Sequence, residues 1–238
     1  MNKTEETTGI HPKDFRTAAM EHGRHFSRYL FAAAYAEDKY ILDGACGNGY
    51  GSAYLARSAR FVLGLDLDRQ RISFARDNFS FRNLRFEVQD LHERIETKTP
   101  FDLLISFETL EHVRDPSHLL ANMVHSLADD ATALISVPNG TKEKRSGGKH
   151  YHPNQFSSKQ FQALLSSCFQ EVRPHSQVYH AGLGHYLGKL AGRGTHQAKD
   201  YRFVPGFDEQ AKTWLAVCEK PRRDRRLPEC PDEIRGDV

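Results

Sequence analysis

Short apolar runs alternate with amphipathic stretches along most of the chain. The strand-like runs cover residues 40–43, 61–66, 84–88, 101–107, 131–137 and 213–218. Helical spacing follows two of them, from about residue 50 and over residues 68–79. Because parallel strands cannot be joined by a tight hairpin, this alternation predicts an α/β fold with a mainly parallel sheet and crossover helices.

Residues with helix-capping chemistry mark further helices. Asp115 followed by Pro116 predicts a helix start, since the carboxylate accepts a backbone N–H and proline suits the first helical position. Ser157 predicts a second start, before SKQFQALLSSCF. Apolar positions at helical spacing over residues 15–33 predict a helix ahead of the first strand, with Gly23 as its weak point.

The chain has 238 residues, which is enough for one sizeable domain. Residues 1–12 are predicted to be disordered, and residues 13–219 to form the domain. Within it, residues 176–211 combine weak apolar periodicity with several glycines, which predicts an insertion or lid before the last strand. Residues 220–238 are predicted to be a charged tail.

Charge and cysteine content narrow the class of protein. The 33 basic and 31 acidic side chains leave a formal charge of +2, so no overall field favours nucleic acid or a membrane surface. Cys46, Cys168, Cys218 and Cys230 lack metal-ligand spacing and predict free thiols in a reducing compartment. With a polar start and no apolar run long enough to span a bilayer, the chain is predicted to be cytoplasmic.

A glycine-rich loop follows the first predicted strand, which ends on Asp43. Its glycines are Gly44, Gly47, Gly49 and Gly51. Such loops let a ligand approach backbone and a helix N-terminus, and they serve mononucleotides, dinucleotides and S-adenosylmethionine alike. The Asp43 carboxylate would repel a pyrophosphate and attract ammonium and sulfonium groups. The loop therefore favours a cationic ligand over the dinucleotide of an NAD-type oxidoreductase.

Two further acids follow the next two strands. Asp66 lies 17 residues after Gly49, near the spacing at which a carboxylate accepts both ribose hydroxyls. Asp68 is its competitor and is better placed to cap the next helix. Asp90 is a candidate acceptor for an adenine amino group, with the Leu91 amide facing the ring. Acids after three successive strands form a constellation at the sheet edge where such folds bind ligands.

From about residue 20 to residue 175, the chain resembles the class I S-adenosylmethionine-dependent methyltransferases. The motifs are LDGACGNGYGS, VLGLDLD, FDLLISFETLEHVRDP and ISVPNG. With EHGRHFSRYLFAAAYA and HPNQFSSKQF, they are similar to bacterial methyltransferases encoded with cell-surface glycan enzymes. The resemblance implies a Rossmann-like, doubly wound, seven-stranded sheet and methyl transfer that leaves S-adenosylhomocysteine. One departure is that residues 128–131 replace the usual Pro-Gly-Gly turn.

The resemblance also implies a set of cofactor contacts. These are Asp43, Gly44, Ala45, Cys46, Gly47, Gly49, Tyr50, Asp66, Leu67, Asp90, Leu91, Phe107 and Arg28. Arg28 belongs to the N-terminal helix, which in similar enzymes closes over the cofactor, and it would pair with the methionine carboxylate. A solvated helix face with surface ion pairs is the alternative for Arg28 and its neighbours.

Candidates for the reacting end follow the fourth and fifth strands. His152 is the predicted general base, because histidine accepts a proton near neutral pH and the glycan-type relatives carry a histidine there. A loop histidine without a role is the alternative, and His150 is a second candidate. Relatives often show an acid where this chain has Gln155. Glu111 and His112 are further catalytic candidates.

A metal site is not predicted, but one group of residues leaves a metal-dependent enzyme as an alternative. Glu108, Glu111 and His112, with the distant His152, resemble the metal-binding set of small-RNA 3′-terminal 2′-O-methyltransferases. Mixed oxygen and imidazole ligands would suit manganese, cobalt or iron better than magnesium. The near-neutral charge speaks against RNA, since an RNA-binding protein normally carries a basic track.

The predicted function is O-methylation of a sugar or another polar small-molecule hydroxyl. Basic residues in a loop and in the tail would hold a phosphate-bearing acceptor, or else form solvated surface. They are Lys142, Lys144, Arg145 and Lys149, followed by Lys220, Arg222, Arg223, Arg225 and Arg226. A protein that binds the cofactor without catalysis is a further alternative.

Overall fold

Eight strands form one sheet in the computed structural model, which describes residues 22–142, 153–180 and 197–222. The strands are β1 (Tyr40–Gly44), β2 (Phe61–Asp66), β3 (Leu84–Val88), β4 (Phe101–Phe107), β5 (Leu127–Pro138), β6 (Phe169–Tyr179), β7 (Tyr201–Pro205) and β8 (Thr213–Pro221). The α-helices are α1 (Gly23–Ala32), α2 (Tyr50–Leu55), α3 (Arg69–Asn78), α4 (Pro116–His125) and α5 (Ser158–Cys168). Short 3-10 helices include Leu110–His112 and Ala198–Asp200.

The strand order is β3-β2-β1-β4-β5-β8-β6-β7. The first five strands pair in parallel, and the last three pair antiparallel. The predicted doubly wound α/β fold is confirmed, but the sheet has eight strands where seven were predicted. The additional strand, β7, has five residues and pairs only with β6, so it left no recognisable apolar pattern in the sequence.

Three predicted strands, β2, β3 and β4, have the predicted bounds. β5 starts earlier than predicted, at Leu127, because residues 128–131 belong to the strand and do not form a turn. The pairing with β4 is irregular there, since Leu127 pairs with Phe101 and the next paired residue, Thr132, pairs with Leu103. β8 continues to Pro221, into the predicted tail. Part of the predicted insertion also belongs to the sheet, since residues 176–179 complete β6 and residues 201–205 form β7.

The predicted helix caps are confirmed. The Asp115 carboxylate accepts the backbone N–H of His118 at 2.9 Å, and Ser157 forms a capping box with Gln160. Asp68 caps α3 by accepting backbone N–H groups of the first helical turn. These contacts explain why the helices begin where the sequence places them.

The two faces of the sheet pack against different helices. Leu42 of β1 belongs to a cluster with Met123 of α4 and Phe161 of α5. Ile41, its neighbour in β1, belongs to a second cluster with Phe26 of α1. Successive strand residues point to opposite faces, so the continuous apolar run in β1 supplies both clusters. The two clusters pack the sheet on both faces, and the carboxyl ends of its parallel strands lie together along one edge.

The outer rim of β3 carries an arginine. Backbone groups of Asn83 and Gln89, which flank the strand, bond to β2, so the even-numbered residues of β3 direct their backbone groups outward. The Arg76 side chain donates from Nε and Nη2 to the outward carbonyl oxygen of Phe86, at 3.0 and 2.7 Å. α3 therefore covers one end of the sheet with a guanidinium group.

Two further findings concern the described residues only. Cys46, Cys168 and Cys218 are buried free thiols, whereas Cys230 lies outside the described residues. Within the described parts of the chain, no helix combines the length and apolar character needed to cross a membrane.

Candidate cofactor site

The loop between β1 and α2 has left-handed backbone at three positions. The φ angles are 62° at Ala45, 57° at Gly47 and 78° at Gly49. At Gly49, a Cβ atom would lie 2.6 Å from the side chains of Ala75 and Phe86, so both its conformation and its surroundings require glycine. Ala45 adopts the same region at a cost of about 1 kcal/mol. The loop is mostly buried at the carboxyl end of β1, and only Ala45 and Gly47 are partly exposed.

Asp43 lies behind this loop rather than at its mouth, and its side chain is buried. The hydroxyl of Ser52 donates to its carboxylate at 2.6 Å, and the Tyr29 hydroxyl donates at 3.3 Å. Burial raises the pKa of Asp43 to about 7, although both hydrogen bonds act in the opposite direction. Its role toward a cationic ligand remains a prediction, and its immediate partners are hydroxyl groups.

Aromatic rings join α1 to the loop. The Tyr29 ring makes edge contacts with Tyr50 and Phe107, at centroid distances of 5.8 and 5.1 Å. Burial raises the pKa of the Tyr29 hydroxyl well above its usual value, which keeps it a neutral donor. A Cβ atom on Gly51 would lie 2.0 Å from the Tyr29 ring. Gly51 therefore serves to admit this ring.

Asp66, at the end of β2, bonds back to the loop. Its carboxylate accepts the backbone N–H of Gly47 at 2.8 Å and that of Asp68 at 2.9 Å. Each oxygen keeps a further lone pair for a ligand hydroxyl. The next residue, Leu67, is 67% exposed, although it is a large apolar side chain. A carboxylate beside an exposed apolar group suits a ribose next to a flat apolar ring.

Asp90 follows β3 and is about half exposed. Its carboxylate accepts the backbone N–H of His92 at 2.9 Å and lies 3.0 Å from the His92 ring. These hydrogen bonds lower the pKa of Asp90. Leu91 is buried, and its carbonyl oxygen accepts from Asn122 at 3.3 Å. Asp90 thus keeps a charged, accessible carboxylate on the same sheet edge as Asp66.

Arg28 is fully buried, which excludes the solvated helix face considered from the sequence. Nη1 donates to Oε1 of Gln177 at 2.9 Å and lies 3.8 Å from the Glu108 carboxylate. Nη2 donates to Nδ1 of His25 at 2.8 Å, and the guanidinium lies 6.0 Å from the Phe107 ring centroid. Nε is also buried and has no hydrogen-bond partner among the described residues. A buried donor without a partner costs free energy, because it has lost its hydrogen bonds to water.

Glu108, immediately after β4, takes up a left-handed conformation with φ 54°. Its backbone N–H bonds to the Ser136 carbonyl at 3.0 Å, and the Ser136 hydroxyl donates to its carboxylate at 3.2 Å. Glu111 is buried, whereas the His112 side chain is about half exposed, with 3.7 Å between their polar atoms. The described residues contain no group of three or more histidines, cysteines or acids arranged to hold a metal.

Several predicted residues lie outside the described residues, so their places in the site stay predictions. They are His150, His152, Lys144, Arg145 and Lys149, together with the tail residues from Arg223 onward. Gln155 is described and is partly buried. Sequence reasoning missed Ser52 and Gln177, which bond to Asp43 and Arg28. Ser52 follows the glycine loop by one turn, which was an available signal, whereas a single glutamine in β6 gave none.

The described residues fit S-adenosylmethionine. Arg28 offers a buried donor for a carboxylate, Asp66 keeps acceptor capacity for ribose hydroxyls, and Leu67 presents apolar surface to an adenine ring. Asp90 offers an accessible acceptor for an amino group.

Known proteins show the same resemblance. A methyltransferase-domain profile matches residues 36–201, which is more than half of the chain. A probable S-adenosylmethionine-dependent methyltransferase of Mycolicibacterium smegmatis is 26% identical over 175 residues, covering 71% of this chain and 66% of the relative. The ubiquinone biosynthesis O-methyltransferase of Coxiella burnetii is 29% identical over 114 residues, covering 47% and 49%. The chain thus spans about half to two thirds of these relatives.

A solved structure supports the fold. The N-methyltransferase NodS from Bradyrhizobium japonicum, in complex with S-adenosylhomocysteine, superposes with a TM-score of 0.59 at 16% identity. The match covers 90% of this chain and 94% of NodS. The chain therefore belongs to the methyltransferase-domain family, and it has the fold of the class I S-adenosylmethionine-dependent methyltransferases.

Proposed function

We propose that this protein methylates a hydroxyl group of a sugar or a similar polar small molecule. The observation that carries the proposal is the polar character of the carboxyl sheet edge. A fully buried cation, Arg28, lies there 3.8 Å from the largely buried Glu108, and its Nε has no hydrogen-bond partner among the described residues. Buried charge is costly unless it is paired or used by a ligand, so a polar reaction site accounts for it.

In this proposal, the cofactor lies along the ends of β1, β2 and β3. Arg28 binds the methionine carboxylate and Asp43 favours the cationic end from behind the loop. Asp66 holds the ribose hydroxyls. The adenine lies against Leu67, with the Leu91 backbone N–H facing the ring and Asp90 accepting from the amino group. The loop residues from Gly44 to Gly49, with Tyr50 and Phe107, form the surrounding wall.

The bound cofactor supplies a methyl group on a sulfonium, and the protein orients the acceptor and takes up its proton. His152 is the proposed base, because the acceptor hydroxyl must lose a proton as the new bond forms. Glu111 and His112, next to the end of β4, are proposed to orient the acceptor. The basic loop from Lys142 to Lys149 is proposed to hold a phosphate on the acceptor.

Methylation at oxygen also has support from the relatives. The Coxiella burnetii protein is by name an O-methyltransferase, and its matched segment is 29% identical to this chain. The metal-dependent RNA alternative requires Glu108 and Glu111 to share one ion. Instead, Glu108 contacts Arg28 and Ser136, while Glu111 lies beside His112. We therefore propose catalysis without a metal.

The test is a methylation assay with methyl-labelled S-adenosylmethionine and a panel of acceptors. The panel contains free sugars, nucleotide sugars, catechols and a short RNA with a free 3′ end. With the accepted substrate, His152→Ala should lower turnover by about 10²- to 10⁴-fold, because the base is lost, and leave S-adenosylhomocysteine affinity within about twofold. Asp66→Ala should instead weaken S-adenosylhomocysteine binding by about 1 to 3 kcal/mol.

Other results would contradict the proposal in distinct ways. Full turnover in His152→Ala would exclude His152 as the base. Labelling of RNA ends that a chelator abolishes would establish the metal-dependent alternative. Tight cofactor binding without product from any acceptor would indicate a binding protein. Unchanged affinity in Asp66→Ala would exclude the ribose assignment.

A further inference from the structure

Gln177 joins β6 to α1 through three hydrogen bonds. Its side chain is almost fully buried, with 4% of the residue exposed. Oε1 accepts from Nη1 of Arg28 at 2.9 Å. Nε2 donates to the Arg24 carbonyl oxygen at 2.7 Å and to the Ser27 hydroxyl oxygen at 2.6 Å. Gln177 therefore contacts one full turn of α1 from a strand about 150 residues away along the chain.

The orientation of the Gln177 amide is fixed by the chemistry of its partners. A guanidinium group can only donate, so the atom facing Arg28 must be the oxygen. A carbonyl can only accept, so the atom facing Arg24 must be the nitrogen. Ser27 uses its own hydrogen on the Arg24 carbonyl, at 2.9 Å, and so accepts from Gln177. Rotating the amide by 180° would break the bonds to Arg28 and to the Arg24 carbonyl.

His25 fixes the other side of the guanidinium. Because Nη2 of Arg28 donates to Nδ1, the His25 ring must be neutral, with its hydrogen on Nε2. Burial, followed by the charge of Arg28, lowers the pKa of His25 well below its usual value. Gln177 and His25 together hold Arg28 by both terminal nitrogens. The buried Nε has no hydrogen-bond partner among the described residues.

We propose that Gln177 is a positioning residue for cofactor binding. It holds Arg28 in place before the cofactor arrives, so that the guanidinium meets the methionine carboxylate without first being ordered. This inference rests on the proposed role of Arg28 in binding that carboxylate. It also gives β6, which lies beyond the parallel strands, an indirect part in recognising the amino-acid end of the cofactor, through Arg28.

Two ligands that differ at that end separate the positioning role from general stability. S-adenosylhomocysteine carries the amino acid, and 5′-methylthioadenosine lacks it. By calorimetry, Gln177→Ala should weaken S-adenosylhomocysteine binding about tenfold, as expected for loss of a charge-assisted hydrogen bond, and change 5′-methylthioadenosine binding less than about twofold. Gln170→Ala, an exposed glutamine in the same strand, should change neither.

Arg28→Ala separates failure of the inference from failure of the proposed function. It should weaken S-adenosylhomocysteine selectively, and adding Gln177→Ala should then have no further effect. Equal loss of both ligands, or no loss, in Arg28→Ala would overturn the Arg28 assignment. A selective loss in Arg28→Ala with unchanged or unselective binding in Gln177→Ala would overturn the role of Gln177 alone.

Gln177→Glu covers the case in which Gln177→Ala does not fold. The glutamate keeps the size of the side chain but loses both amide hydrogens, and its carboxylate competes with that of the ligand for Arg28. Selective weakening of S-adenosylhomocysteine is again expected. Unchanged S-adenosylhomocysteine binding in a folded Gln177→Glu protein would overturn the inference.

Discussion

Two consecutive residues of α1 connect it to different halves of the sheet. Tyr29 reaches the parallel half, where its hydroxyl donates to Asp43 of β1. Arg28 reaches the antiparallel half, where it donates to Gln177 of β6. The contact with Asp43 is made by a neutral hydroxyl and an aromatic ring, whereas the contact with Gln177 is made by a charged group and an amide. One short helix thus contacts the parallel half through a ring and a neutral hydroxyl, and the antiparallel half through a charged hydrogen bond.

This difference should separate residues that determine folding stability from residues that determine ligand binding. Tyr29 fits over Gly51 and between buried rings, so changes there affect packing and the loop together. Arg28 and Gln177 instead satisfy each other's buried polar groups, and these groups contribute no apolar packing to the core. The antiparallel half should therefore contain residues that matter for stability alone, at a distance from Gln177, and other residues that matter mainly for ligand binding.

The largest expected effect is from Phe169→Ala. Phe169 is fully buried in the first position of β6, at the opposite end of the strand from Gln177. Loss of its ring should lower the free energy of unfolding by about 3 to 5 kcal/mol, because the cavity cannot fully close. Denaturant unfolding measures this loss, and calorimetry should show S-adenosylhomocysteine affinity within about twofold of the unmodified protein. A large affinity loss in the folded variant would contradict the separation.

An intermediate effect is expected from pH acting on Asp43 in the parallel half. Its pKa is raised from 3.8 to about 7, so the folded protein holds this proton more tightly than the unfolded chain does. The free energy of unfolding should therefore fall as the pH rises through that interval, by about 2 to 3 kcal/mol between about pH 5 and about pH 7, and change little from this source above it.

Urea unfolding across that range, compared between the unmodified protein and Asp43→Asn, isolates this contribution. The asparagine keeps the size of the side chain and cannot ionise, so its curve should lack the decline. Parallel curves for the two proteins would show that Asp43 has the same proton affinity folded and unfolded.

The smallest effect is expected from Arg173→Ala on the exposed surface of the antiparallel half. Arg173 makes two hydrogen bonds of 2.6 Å to Glu219, and these lower the pKa of Glu219. Half of the Arg173 side chain is exposed, so solvent screens the pair. The substitution should lower the free energy of unfolding by less than about 1 kcal/mol. A loss as large as that of Phe169→Ala would show that this edge is more than a solvated surface.

The parallel half was largely predictable from the sequence. Its strands are apolar runs, of which β1, β2 and β4 are largely buried, and the acids Asp43, Asp66 and Asp90 lie at or just after the ends of β1, β2 and β3. The antiparallel half was less predictable from the sequence. β6 contains Pro174 and lacks regular alternation, and β7 has only β6 as a partner strand. Local pattern carries little information about strands whose faces are only partly covered.

The candidate site likewise has features that the sequence predicts and features that it does not. Chemistry that follows from strand ends, such as the acids and the glycine loop, was visible in the motifs. The contacts of Tyr29 with Asp43 and of Arg28 with Gln177 were not, since they depend on where α1 packs. Burial of Asp43 behind the loop was equally invisible, because an acid after a strand has the same sequence pattern whether it faces solvent or core.

The arginine on the rim of β3 bears on self-association. An open sheet edge is a template on which the same strand of another molecule can add. At β3, the outward Phe86 carbonyl already accepts two hydrogens from Arg76, so an incoming strand would have to displace a guanidinium to bond there. At the other end of the sheet, β7 is short and ends at Pro205, which has no backbone hydrogen to offer. Both lateral edges of the sheet therefore carry a feature that opposes the addition of a further strand.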